Sequence, residues 1–66
     1  MILAEKIMKL RKQQGWSQEE LAMKLGVSRQ SVSKWESGAS DPSTTNLMAL
    51  AKLFGTTAEE LLKETK

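Results

Sequence analysis

The chain has 66 residues, of which 39% are hydrophobic and 27% are charged, and its ten basic and eight acidic side chains give a formal charge of +2. It has no cysteine and no histidine, which excludes disulfides, the usual zinc, haem and iron–sulfur ligand sets, and histidine-dependent nucleophilic catalysis. We therefore expect one small domain over residues 1–66, without metal, cofactor or enzymatic activity.

Four glycines divide the chain, each followed two residues later by serine or threonine: Gly15, Gly26, Gly38 and Gly55. Glycine tolerates the left-handed backbone that ends many helices, and a serine or threonine side chain caps the first turn of the next one. This pattern predicts five helices joined by short turns. No strand is predicted, because alternating strand patterns and Asn-Gly hairpins are missing.

The first two helices are predicted from apolar spacing and from a start signal. The first spans about residues 2–14, with an apolar stripe at i, i+4 and i+7: Leu3, Ile7 and Leu10. Its basic side chains are expected largely outside that stripe: Lys6, Lys9, Arg11 and Lys12. The second helix, residues 18–25, begins at a capping box with Ser17 as the N-cap and Glu20 at N3. Its expected buried side chains are Leu21, Ala22 and Leu25.

Only three residues, Gly26-Val27-Ser28, separate the second helix from the third, which ends before Gly38. A turn this short makes two helices cross steeply, and this predicts a helix-turn-helix over residues 18–37. Such a crossing needs a small residue on the first helix and a residue that tolerates a left-handed backbone in the turn, which Ala22 and Gly26 supply. The remaining inward positions are apolar: Leu21, Leu25, Val27, Val32 and Trp35.

The exposed face of the third helix is predicted to carry Arg29, Gln30, Ser33 and Lys34. At about 100° per residue these four lie within one arc, away from the apolar Val32 and Trp35. The arc contains two cations, an amide and a hydroxyl but no acid, and these are the groups that bind base edges in the major groove. We therefore predict that these four side chains read DNA bases, with an ordinary solvated helix surface as the alternative.

The fourth helix is predicted from apolar side chains at i, i+3, i+4 and i+7: Leu47, Leu50, Ala51 and Phe54. Its start is open between Asp41 and Ser43, since either can cap it. The fifth helix begins at a second capping box with Thr57 as the N-cap, and Leu61 and Leu62 are both expected in the core.

Residues 16–38 read WSQEELAMKLGVSRQSVSKWESG, and this run resembles the Cro and phage-repressor helix-turn-helix family, also called the xenobiotic-response-element type. Residues 47–55 and 59–62 are similar to its fourth and fifth helices. The resemblance implies an all-α, compact five-helix bundle of the lambda-repressor-like DNA-binding type. It also implies a sequence-specific transcriptional regulator, expected to be a repressor, that inserts its third helix into the major groove of double-stranded DNA and binds as a homodimer.

The resemblance also implies roles for single residues. Gln18 matches a residue that contacts phosphate while bracing the recognition helix, and Gln30 matches one that reads a base. Arg11 and Glu36 match an ion pair that ties the first helix to the end of the third. Serines near the helix starts are candidate phosphate donors, with capping or plain solvation equally open for each: Ser28, Ser31, Ser37, Ser40 and Ser43.

Charge is divided unevenly, because residues 1–38 carry seven bases and four acids, and residues 39–66 carry three bases and four acids. The basic half, at +3, contains the predicted motif, and the other half, at −1, is free for self-association. A dimer patch is expected to draw on the last helices, with the monomer core as the alternative for each residue: Leu53, Phe54, Leu61 and Leu62.

Two other function classes compete with DNA binding. An antitoxin-like or coactivator-like module on the same fold, contacting mainly another protein, is the alternative, since a fold alone does not settle function. An enzyme is disfavoured, because the adjacent glutamates are explained by capping boxes. No apolar run approaches the ~20 residues of a membrane helix and the N-terminus lacks a signal pattern, so we expect a cytoplasmic protein. The resemblance implies a prokaryotic protein that is associated with the nucleoid when bound to DNA.

Overall fold

The computed structural model describes residues 2–63. It contains five helices in chain order: α1 (Leu3–Gln13), α2 (Gln18–Leu25), α3 (Arg29–Ser37), α4 (Thr44–Phe54) and α5 (Ala58–Leu62). No strand occurs in the described range. The radius of gyration of the Cα atoms is 10.5 Å, close to the ~11 Å typical of a single folded domain of this length. The predicted all-α, five-helix architecture is confirmed.

A single core takes buried side chains from all five helices: Ile7, Leu21, Ala22, Val32, Trp35, Leu50, Ala51 and Leu61. Half-buried apolar side chains pack around it: Leu3, Leu10, Trp16, Leu25, Val27, Leu47, Leu53 and Phe54. Ala22 is buried, as expected for the small residue of α2 at its crossing with α3. Both helices of the helix-turn-helix therefore contribute side chains to the core, and this packing fixes α3 against the rest of the molecule.

Local hydrogen bonds fix the start and end of α2 and the start of α3. The backbone N–H of Glu20 donates to Ser17 Oγ at 3.0 Å, and the N–H of Ser17 donates to Glu20 Oε1 at 3.1 Å, so the predicted capping box is confirmed. The N–H of Ser31 donates to Ser28 Oγ at 3.2 Å. Gly26 closes α2 in the left-handed region, at φ +75°.

The starts of α4 and α5 settle one open prediction and revise another. Ser43 is the N-cap of α4, since its Oγ accepts from the N–H of Asn46 at 3.2 Å, and the alternative start at Asp41 is wrong. Thr57 Oγ1 accepts from the N–H of Glu60 at 3.1 Å. This is the first half of the predicted capping box in α5, and the reciprocal bond is not formed.

The prediction that both leucines of α5 lie in the core is wrong. Leu61 is buried, but Leu62 is 57% exposed. The reason is geometric, because successive residues on a helix point about 100° apart. Only one side of the five-residue helix α5 faces the core, so when Leu61 points inward Leu62 points away from it. α1 holds this short helix by its end, since Lys6 Nζ donates to the backbone carbonyl of Glu60 at 2.8 Å and to that of Lys63.

Candidate nucleic-acid interface

One side of α3 faces away from the core and carries the polar side chains that the sequence singled out. We call it the α3 polar face: Arg29, Gln30, Ser33 and Lys34. Ser33 is half-buried and the other three are exposed. The four side chains make no hydrogen bond or ion pair within residues 2–63. At about 1.5 Å per residue they extend over roughly 7.5 Å, the length of about two base-pair steps.

The acid of α3 is turned inward. Glu36 is 6% exposed, and its Oε2 lies 2.7 Å from Arg11 Nε while its Oε1 accepts from Arg11 Nη2 at 3.0 Å. This is the bidentate geometry that suits a guanidinium and a carboxylate. The α3 polar face is therefore free of negative side chains.

Arg11 connects three parts of the chain. Besides the two bonds to Glu36, its Nη1 donates to the backbone carbonyl of Trp16 at 2.7 Å, so α1, the segment before α2, and α3 meet at one guanidinium. The hydrogen bonds to Glu36 raise the pKa of Arg11 above its already high ordinary value, although burial acts in the opposite direction. The Arg11 guanidinium therefore keeps its positive charge over the whole range of pH in which proteins are usually studied.

The structure corrects one expectation for α1. Charge patterning groups Arg11 with the lysines outside the apolar stripe, whereas Arg11 is buried one turn after Ile7, on the inner side of the helix. The cost of burying a cation is offset because Glu36 and the Trp16 carbonyl satisfy three of its N–H groups. The resemblance, rather than the charge pattern, pointed to this position.

Gln18, the first residue of α2, reaches the same carboxylate. Its Nε2 donates to Glu36 Oε1 at 3.1 Å, and its side chain is half-buried. Two residues that are eighteen positions apart in the chain are thereby joined where α2 begins and α3 ends. The spacing of Gln18 and Glu36 in the sequence does not predict this contact. The resemblance predicts only that Gln18 braces α3, without naming its partner.

Two of the candidate phosphate donors cap helices, and a third pairs with one of them. Ser28 and Ser43 accept from backbone N–H groups at the starts of α3 and α4, and the Oγ atoms of Ser28 and Ser31 lie 3.0 Å apart. Capping uses the hydroxyl oxygen as an acceptor and leaves its hydrogen available. Ser43 is thus able to cap α4 and donate outward at once, and the Ser28–Ser31 pair retains one free hydroxyl hydrogen.

The other two serines lie at and beyond the end of α3. The Ser37 hydroxyl donates to the backbone carbonyl of Lys34 at 3.2 Å, so its hydrogen is already used. Ser40 is exposed in the loop before α4, and Asp41, next to it, is also exposed. An acid at this place opposes the approach of a phosphate, which makes Ser40 and Ser37 the least favoured of the five serines.

The candidate dimer residues divide between the core and the surface. Leu61 belongs to the buried core, and Leu53 and Phe54 are half-buried against it. Leu62 is exposed, as is Ile2 just before α1, each with 57% of its surface accessible. Of the four residues considered for self-association, Leu62 alone is mainly on the surface.

Residues 2–63 contain neither a cluster of metal ligands nor a membrane-spanning helix. No group of three or more Asp or Glu side chains is clustered closely enough to hold a metal ion. None of the five helices combines the length and the apolar character that a membrane span demands.

Known proteins resemble this chain in sequence. A family model described as helix-turn-helix matches residues 7–61. The chain is 45% identical over 58 residues to the HTH-type transcriptional activator BcrR of Enterococcus faecalis, an alignment covering 88% of this chain and 28% of BcrR. It is 39% identical over 62 residues to the HTH-type transcriptional regulator AnsR of Bacillus subtilis, covering 94% of this chain and 53% of AnsR. The chain thus spans about a quarter to a half of the length of these two relatives.

The fold has a close counterpart among solved structures. The crystal structure of the P22 c2 repressor protein in complex with synthetic operator 9T superimposes with a TM-score of 0.90 at 33% sequence identity, covering 96% of both chains. The five helices are therefore arranged as in a phage-repressor domain, and the predicted lambda-repressor-like fold is confirmed.

Proposed function

Because this chain belongs to the helix-turn-helix family, we propose that it is a sequence-specific regulator of transcription that inserts α3 into the major groove of double-stranded DNA. The observation that carries the proposal is the composition of the α3 polar face. It offers two cations, an amide and a hydroxyl, while the acid of the same helix, Glu36, is held inside by Arg11. A helix that presents donors without carboxylates suits the acceptor-rich edges of the major groove.

We assign base readout to the α3 polar face. Arg29 and Lys34 are suited to donate to guanine O6 and N7, and the Gln30 amide is suited to bond both N6 and N7 of adenine. Ser33 is able to bond either kind of base. Because these side chains are not bound elsewhere in the described part of the chain, they are free to turn toward bases without breaking the fold.

We assign phosphate contacts to Gln18 and to the serines at the helix starts, chiefly Ser28, Ser31 and Ser43. Hydrogen-bond donors at helix N-termini suit phosphate oxygens, and such contacts set the register of a protein on DNA without reading its sequence. Ser37 and Ser40 remain candidates, with weaker support for the reasons given above.

We propose a homodimer on DNA, with residues 1–66 as one DNA-binding domain. A single module of this size buries about 600–1,000 Å² against DNA, so two copies on half-sites about one helical turn apart give more useful affinity. The exposed Leu62 and Ile2 support a contact through the α1 and α5 side of the domain.

We further propose that the regulator is a repressor that acts in a prokaryotic cytoplasm, bound to the nucleoid, and that it has no enzymatic activity. The likeness to the P22 c2 repressor supports repression, whereas the relative BcrR is named an activator. A promoter fusion with the selected binding site overlapping the start of transcription separates the two, because a repressor lowers reporter output and an activator raises it.

The experiment that tests DNA binding is selection of bound duplexes from a random pool, followed by affinity measurements at several salt concentrations. A regulator of this kind enriches a defined sequence, and the logarithm of its affinity falls linearly with the logarithm of salt concentration, by about 0.9 for each phosphate that a cation neutralises. Failure to bind any duplex at low salt would instead favour the protein-interaction module.

A further inference from the structure

The end of α3 and the beginning of α2 are joined by a set of hydrogen bonds that we call the Glu36 network: Arg11, the backbone carbonyl of Trp16, Gln18 and Glu36. From its geometry we infer that Glu36 is a positioning residue for DNA binding, because it orients the Gln18 side-chain amide so that one N–H is held ready for a phosphate. This inference rests on the proposed function.

The first step is the rigidity of the carboxylate. Both oxygens of Glu36 accept from the Arg11 guanidinium, at 2.7 and 3.0 Å, and this paired geometry fixes the plane of the carboxylate as well as its position. Arg11 is itself held by its third bond, 2.7 Å from Nη1 to the Trp16 carbonyl. Glu36 Oε1 therefore faces Gln18 in a set direction.

The second step is the direction of the Gln18 amide. A glutamine side chain has an oxygen that accepts and a nitrogen that donates, and either end can face a neutral partner. An ionised carboxylate only accepts, so the Nε2 end of Gln18 must face Glu36, as it does at 3.1 Å. Turning the amide over would place its oxygen against Glu36 Oε1 and would exchange a hydrogen bond for repulsion.

The third step is the remaining hydrogen. Nε2 carries two hydrogens in the plane of the amide, so when one of them points at Glu36 the other points away from it. Gln18 is half-buried, at the beginning of α2, and this second N–H is the donor available to a phosphate. Glu36 and Arg11 act on DNA through Gln18, without touching the DNA themselves.

A double-mutant cycle tests this coupling. In the otherwise unaltered protein, Gln18→Ala should weaken binding about tenfold or more, since hydrogen bonds to charged groups are among the stronger ones. The weakening should be equal for all bound sequences, and the salt slope should be unchanged, because Gln18 is uncharged. Gln14→Ala, an exposed glutamine outside the Glu36 network, is the matched control and should leave affinity unaltered.

The second background replaces the ion pair with apolar side chains, in the double variant Arg11→Met with Glu36→Met. Replacing both partners avoids an unpaired buried charge and preserves many folds. Denaturation must first show that this variant is folded at the temperature of the binding assay. In this background the Gln18 amide has lost its anchor, so Gln18→Ala should change affinity less than about twofold. An equal effect of Gln18→Ala in both backgrounds would overturn the inference.

A measurement on the unaltered protein covers the case in which the double variant does not fold. The two Nε2 protons of Gln18 can be followed separately by NMR. We expect one to be protected from exchange by Glu36 before and after DNA is added, and the other to shift when DNA binds. Two protons that exchange equally fast in the free protein would refute the inference. Failure of the proposed function is a different result, in which the unaltered protein binds no duplex.

Discussion

The indole ring of Trp16 stacks on the phenyl ring of Phe54, with ring centroids 6.0 Å apart and planes inclined by 23°. Trp16 precedes α2 and Phe54 ends α4, so the contact fastens the start of the helix-turn-helix to the second half of the chain. Lys24 Nζ lies 4.8 Å from the centroid of the same indole, which adds a cation to the stack.

We expect Phe54→Leu to lower the free energy of unfolding by about 1–2 kcal/mol, because it removes the ring stacking and part of the buried apolar area. Urea denaturation followed by circular dichroism measures the change. Lys24→Met should cost less, about 0.5–1 kcal/mol. Lys52→Met, an exposed lysine in the last turn of α4, is the control, and a Phe54→Leu variant as stable as that control would contradict the role given to the stack.

Arg11→Ala is expected to destabilise the fold by about 3–5 kcal/mol, because it leaves Glu36 buried without its cation. Since the pKa of Arg11 is raised, its contribution is complete at every pH below the ordinary arginine value and is lost only as pH rises through the raised one. The cost should therefore be the same at about pH 6 and pH 9. Lys12→Ala, an exposed neighbour, should stay within about 0.5 kcal/mol, and equal unfolding curves for the two variants would rule out the structural role.

Gly26→Ala should cost about 1–2 kcal/mol through backbone strain alone. Gly26 has a φ of +75°, and a Cβ at this position would meet no atom within 4 Å, so steric clash adds nothing. Asparagine tolerates the left-handed region better than alanine does, so Gly26→Asn should lose less stability. Thermal unfolding of both variants checks the order, and a larger loss for asparagine would show that strain is not the cause.

Arg29→Ala and Gln30→Ala should each relax the base preference at one position of the selected site, by roughly 1–3 kcal/mol. Because both side chains are exposed, the free energy of unfolding should change by less than about 0.5 kcal/mol. Repeating the duplex selection with each variant measures the effect, with Gln14→Ala as the control. Identical preferences in all four proteins would refute base readout by these side chains.

Leu62→Ser should weaken binding to a paired site while leaving the domain as stable as before, since Leu62 is exposed. Leu61→Ser is the contrast, because it puts a hydroxyl in the core and should cost several kcal/mol. Binding to single and paired half-sites, measured beside urea denaturation, separates the two effects. If the Leu62→Ser variant keeps its preference for paired sites, the proposed dimer contact through Leu62 is wrong.

The features that could be predicted from the sequence are those set by neighbouring residues. The capping box of Ser17 and Glu20 and the turn at Gly26 depend on groups only a few positions apart. The predicted bounds of α2, residues 18–25, therefore agree with the structure. The exposed position of Leu62 was missed because counting apolar residues ignores how few positions of a five-residue helix can face inward.

The candidate site was predictable in part for the same reason. The exposure of Arg29, Gln30 and Lys34 follows from helical periodicity and matches the structure. The bond between Gln18 and Glu36 depends on how α2 crosses α3, and no local pattern encodes that angle. The buried position of Arg11 follows from the resemblance and not from a local pattern. A charged residue is not expected on the inner side of a helix unless its partner is known.

Under the proposed function, the freedom of the α3 polar face separates the recognition of DNA from the folding of the domain. The side chains of Arg29, Gln30 and Lys34 are exposed and make no hydrogen bond or ion pair within residues 2–63. The side chains that hold α3 in place lie on the opposite side of the helix. A library randomised at these three positions should consist mostly of folded members, so new operator sequences can be sought by selection without first stabilising the scaffold.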